Sequence, residues 1–129
     1  MNNEGTMNGK SIAPMLVVGT LAQLAMIGAG HYSPFVRDSV FAIGGMLISL
    51  IFGAAWAATG ATTKSGGMKG GALVGGGCAL IGIAASVALG DTEAMVLSFG
   101  TLSSAVTGAI GGLLGHVMIA SKRCGQTAA

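Results

Sequence analysis

Few side chains in this chain could do chemistry, and they are scattered. Gln23 and His116 interrupt long apolar runs, one in each half. Ser49 and Thr107 add hydroxyls inside two further stretches of the same kind. An ionisable group within a membrane-crossing run is a functional candidate by default, and imidazole handles protons near neutral pH. His116, however, stands less than two helical turns before Lys122, within reach of an interface. The carboxylates of the apolar runs, Asp38 and Glu93, stand in their opening turns, and none lies deeper to complete a proton relay. For Gln23 the competing roles are an interhelical amide hydrogen bond, the usual one in lipid, and contact with a solute at mid-membrane. Gln23, Ser49, Thr107 and His116 are therefore the candidate polar pathway or ligand contacts.

The remaining constellations are weaker. Cys78 and Cys124 lack paired spacing, and a structural zinc needs four ligands, so no metal is expected. His31, Asp91 and Glu93 flank the ends of apolar runs, where capping and solvation already account for the acids. The stretch 60–71 is rich in Gly, Lys and Thr, but Thr63 precedes Lys64 where a phosphate loop requires Gly, so no nucleotide is expected. Ser103 and Ser104 are about three turns from His116, too far for a nucleophile and its base. The start Met-Asn offers no myristoylation signal. No catalytic residue and no cofactor follow from these residues, and the chain reads as no enzyme.

The elements that carry these groups are apolar. Charged residues make up only 8% of the 129, with 52% hydrophobic and a mean hydropathy of +0.79. Soluble domains average about 25% charged residues, so the solvent for most of this surface must be lipid. A net charge of +2 is too small to suggest nucleic acid. Gly contributes 24 residues, far above the usual share of roughly 7%. In apolar helices, small residues permit close backbone approach.

About 20 apolar residues cross a bilayer, and four segments qualify: Ser11–Gly30, Pro34–Gly60, Gly70–Gly90 and Thr92–Ala120. The expected fold is an all-α integral membrane protein, a single four-transmembrane-helix domain over 11–120. Short segments, 1–10 and 121–129, flank it. A rival reading takes residues 1–30 as a secretory signal, but the apolar core exceeds the usual 7–15 residues. Ser33-Pro34 reads as an N-cap followed by Pro at the first helical position. Gly90-Asp91-Thr92 reads as a helix stop followed by an Asp cap. Connections this short make antiparallel neighbours.

The pattern is written twice. A shift of 58 positions sets Thr63-Lys64-Ser65-Gly66-Gly67 on Ser121-Lys122-Arg123-Cys124-Gly125, giving tandem hairpin repeats over 14–67 and 71–125. Residues four apart share a helix face, and the second helix of each repeat carries a small-residue line. These are Gly45, Ser49, Gly53 and Ala57 in the first, and Ser103, Thr107, Gly111 and Gly115 in the second. A further line runs through Gly100, Ser104, Gly108, Gly112 and His116, and the third helix offers Cys78, Gly82, Ser86 and Gly90. Two adjacent small faces on the fourth helix suggest either a central position in the bundle or a homo-oligomer packed through it. A repeat of even span number places its axis along the membrane normal.

Lys10, Lys64, Lys69, Lys122 and Arg123 lie on the side of the termini and the central link, whereas Arg37 is the one basic residue at the turns. The positive-inside rule then makes both termini cytoplasmic, consistent with a bacterial inner (plasma) membrane. Trp56, Tyr32 and Phe35 fit interfacial aromatic belts, and the basic central link reads as a flexible strand near anionic headgroups. The function expected is that of a non-catalytic structural or accessory subunit, self-associating or docked to a larger membrane complex through small-residue faces. The alternative is a small channel or transporter subunit. A cytoplasm-active reporter fused after Ala129 should be active, and one inserted at Ser33 or Thr92 silent. The opposite pattern would reverse the orientation.

Overall fold

A computed structural model describes residues 9–61 and 63–127, and among them all regular structure is helical. Helix α1 spans Gly9–Tyr32, α2 Phe41–Gly60, α3 Lys64–Ala88 and α4 Ala94–Thr127. A π-helical turn, Val36–Val40, leads into α2. All four helices are long and apolar enough to cross a membrane, and their faces fit contact with a lipid bilayer. Helices are the form such runs must take in hydrocarbon, because each backbone N–H and C=O finds its partner within the segment. The expected segment 1–10 lies mostly outside the described residues, including the side chain of Lys10.

The turns differ from their sequence reading in informative ways. Ser33 interrupts the helix, but it takes up the next turn through its carbonyl, which accepts from Arg37 N at 3.1 Å, and no side-chain cap forms there. After α3, Gly90 adopts φ 77°, a left-handed conformation open to Gly. Gly90 N donates to Val87 O and Asp91 N to Ser86 O, both at 3.0 Å, the paired bonds of a Schellman motif. The expected stop is therefore present. Asp91 does not cap α4, because its carboxylate is engaged elsewhere.

Helix α3 begins at Lys64, six residues before the expected Gly70, so the supposed flexible link is mostly helix. Thr63 in extended conformation caps it, its hydroxyl accepting from Gly66 N at 3.0 Å. At the other end α4 continues as exposed helix to Thr127, well past Ala120. Its 34 residues extend about 51 Å, beyond a hydrocarbon core of about 30 Å. Lys122 and Arg123 thus ride on a projecting helical end.

Close contacts of α1 with the π-helical turn and α2 run in opposite order: Gly30 meets Arg37, Gly44 meets Met26 and Gly19 meets Phe52. Those between α3 and α4 do the same, from Gly76 on Ala105 to Gly67 on Gly112. Helix α3 also lies along α1 and α2, whereas α1 and α4 do not touch among the described residues. The centre is therefore the α2–α3 pair, with α1 and α4 on its flanks. Half of α3's most apolar window is buried, against 28% for α4, 22% for α2 and 17% for α1. Helix α3 rather than α4 is thus the most buried of the four, although α4 does pack against two helices of its own chain. This arrangement removes a strict twofold about the membrane normal, since the α2–α3 contact has no α1–α4 counterpart.

The two small faces of α4 serve two neighbours within the chain. Gly111 and Gly115 receive the backbone of Leu50 and Ala54 on α2, while Gly108 and Gly112 receive Gly71 and Gly67 on α3. Gly53 faces Gly108 from α2, Gly82 faces Gln23 and Ile27 from α3, and Gly45 lies against Gln23 and Met26. Trp56 is 1% exposed and packs over Gly70, whose missing side chain leaves room for the indole. It is a core residue here, not a belt residue, and Cys78, Val74 and Ala57 complete the cluster. Tyr32 and Phe35 are exposed at the turn.

A Cβ at Gly108 or Gly112 would enter a backbone carbonyl of α3, whereas one at Gly28 meets nothing within 4 Å. Gly108→Ala and Gly112→Ala should each cost about 1–3 kcal/mol in unfolding assays in detergent. Gly28→Ala should be neutral or stabilising by up to about 1 kcal/mol.

Candidate functional site

Each polar side chain within a span owes its position to the helix that carries it. Gln23, 4% exposed, projects from α1 toward Gly82 of α3 and donates through Nε2 to Gly45 O at 3.3 Å. Ser49 on α2 is fully buried, and its hydroxyl lies 2.9 Å from Gly45 O and 3.2 Å from Gly75 O. The second contact ties α2 to α3, and such bonds in membranes average about 0.6 kcal/mol. Thr107 turns back on its own helix, 3.1 Å from both Ser103 O and Ser104 O. His116 is half-buried beside Gly67 at the start of α3 and forms no hydrogen bond or ion pair with a described residue.

These four groups do not share one space. A cavity of about 180 Å³ opens between α2 and α4, toward the end of the bundle that carries the two short turns. Of the four, only Gln23 lines it. Ala79 and Ile83 of α3 form its floor, and Phe41 and Phe99 stand on opposite walls. The cavity sits beside the packing: α2 and α4 meet at Gly53 and Gly108, Leu50 and Gly111, and Ala54 and Gly115, all farther from the turns than the cavity walls. Ser104, 4% exposed, also lines it; its sequence position marks a packing line and excludes a nucleophile paired with His116, but does not point to a cavity.

A second cluster holds the turns together. Asp91 Oδ2 lies 2.8 Å from His31 Nδ1, and Asp91 Oδ1 lies 3.6 Å from Arg37 Nη1. Arg37 Nε stands 3.5 Å from Asp38 Oδ1. The Asp91 side chain is only 11% exposed, so the α3–α4 turn is joined to the end of α1 and to the π-helical turn by a shielded carboxylate. Ser86 and Thr92 hydroxyls, 2.8 Å apart, brace the same turn. Of the three residues weighed for a metal, His31 and Asp91 meet, while Glu93 makes no ion pair among the described residues. Arg37 puts a positive charge on the face where a cation would bind.

Arg37 was read only as a topological charge. Its pairing with Asp91 spans 54 positions and has no local signature, although Arg37 and Asp91 both flank turns at the same end. No family model, curated protein or solved structure matches this chain.

Loss of the shared carboxylate should loosen the turns. Asp91→Ala is expected to cost about 1–2 kcal/mol in unfolding assays. Asp38→Ala, at a side chain 72% exposed, should change stability by no more than about 0.5 kcal/mol.

Proposed function

We propose that this chain is a small, non-catalytic structural or accessory subunit of a membrane, built from two tandem hairpins with both termini on the cytoplasmic side. The observation that carries this reading is the dispersal of the polar groups within the spans. Gln23, Ser49 and Thr107 each bond to backbone, and His116 stands apart near the start of α3. A conducting path needs such groups to line one continuous hydrated route. A proton-coupled carrier needs ionisable groups facing such a route, and the acidic side chains of the apolar runs, Asp38 and Glu93, stand in their opening turns rather than deep within them.

Docking would use the outer faces, because Gly53, Gly82, Gly108, Gly111, Gly112 and Gly115 are occupied by helices of the same chain. Helix α1 is the least buried, and there Ala25 and Ala29 are exposed beside Gly28, which has open space around it. That face suits a further helix, from a second copy or a larger complex, because small residues allow close approach in lipid.

Native mass spectrometry and crosslinking in mild detergent, with identification of co-purifying membrane proteins, test this. A specific oligomer or a stoichiometric partner is expected, reduced by Ala25→Leu with Ala29→Leu. A strictly monomeric, partner-free protein that conducts ions in planar bilayers would replace the accessory reading with a channel.

A further inference from the structure

The cavity between α2 and α4 carries features that helix packing does not use. Gln23 Nε2 is committed to Gly45 O, which fixes the amide orientation and leaves Oε1 as a free acceptor. Among the described residues nothing donates to that oxygen, and the Ser104 hydroxyl also has no partner. Both side chains are 4% exposed and both line the cavity. An amide oxygen that opens on an apolar crevice without a donor is poorly solvated, so this site favours a ligand that brings one.

Size and access narrow the ligand. About 180 Å³ is close to the roughly 150 Å³ cavity that accepts benzene in another protein, and well below the roughly 300–1,000 Å³ of drug-sized sites. One six-membered ring fits. Phe41 and Phe99 supply aromatic walls, which favour an offset or edge-on ring. The rim residues Ala42 and Phe99 are exposed within apolar spans, so the mouth opens sideways into hydrocarbon. A ligand must therefore arrive dissolved in the membrane.

We propose that this crevice binds a membrane-dissolved phenol or hydroquinone ring, with the hydroxyl donating to Gln23 Oε1. Any tail on the ring leaves through the mouth into lipid, and the Ser104 hydroxyl provides a second polar contact within the same cavity. The site is independent of the accessory role, because it needs neither a partner nor a permeation path.

The test is ¹⁹F NMR titration of the full chain in lipid nanodiscs with 4-fluorophenol and with 4-fluoroanisole, its methylated analogue, which cannot donate. Empty nanodiscs give the lipid partition background. Saturable 4-fluorophenol binding is expected, about five- to tenfold tighter than that of the anisole. Gln23→Leu should bring the two probes level. Ala42→Phe, at an exposed rim position, should block both while leaving Gln23 and Ser104 in place. Equal, non-saturable uptake of both probes by the unaltered protein overturns the proposal whatever the variants do. So does phenol binding that survives Ala42→Phe unchanged.

Discussion

Between helices dissolved in hydrocarbon there is little hydrophobic force, since lipid tails are as apolar as Leu, and cohesion must come from close van der Waals contact. Here that contact is made backbone to backbone. The carbonyl oxygen of Gly108 stands where a Cβ on either Gly53 or Gly71 would project, so one peptide group of α4 touches α2 and α3 together. Gly67 and Gly112 face one another in the same manner one turn away. Removing side chains from both sides of a contact gains many atom pairs, each worth only about 0.1–0.2 kcal/mol, and these sum along the helix. The arrangement tolerates no methyl group. The glycines at this α2–α3–α4 junction are thus a geometric requirement.

That requirement also explains which parts of the fold were legible in the sequence. The four-residue periodicity of Gly108, Gly112 and of Gly111, Gly115 is local and marks two small faces on one helix. What those faces meet is not local. Glycine lowers helix propensity by about 1 kcal/mol per residue relative to alanine, so 64–71, with four glycines, reads as a link. Tertiary contact overrides that preference: Gly67, Gly70 and Gly71 are buried against α4 and Trp56, and the Thr63 cap starts the helix early. Trp56 was misplaced for the same reason. Its partner is an absent side chain 14 residues on, and a hole leaves no hydrophobic pattern to read.

The turn end obeys a different constraint. Asp91 could have capped α4, a local role that any Asp at such a position invites. Its carboxylate instead meets His31 and Arg37, which are brought near by α1 and the π-helical turn. A side chain 11% exposed is better matched by two nitrogen donors than by one backbone amide. The widened π-helical turn holds Arg37 on that side. Ionic contact thus ties the turns together, and glycine contact holds the helices nearer the opposite end.

These two constraints together leave the crevice between them. Helices α2 and α4 cannot separate at Gly53 and Gly108, and the turns beside them are fixed through Asp91, so space remains only along the intervening walls. This space is one-sided. Shifted by 58 positions, Gln23 falls on Ile81, which is 46% exposed on the outer face of α3 rather than buried at a cavity. Positions 23 and 81 therefore differ in chemistry as they differ in packing. With α3 at the centre, α1 turns its amide toward the crevice, and there an uncommitted acceptor lies below a mouth open to lipid.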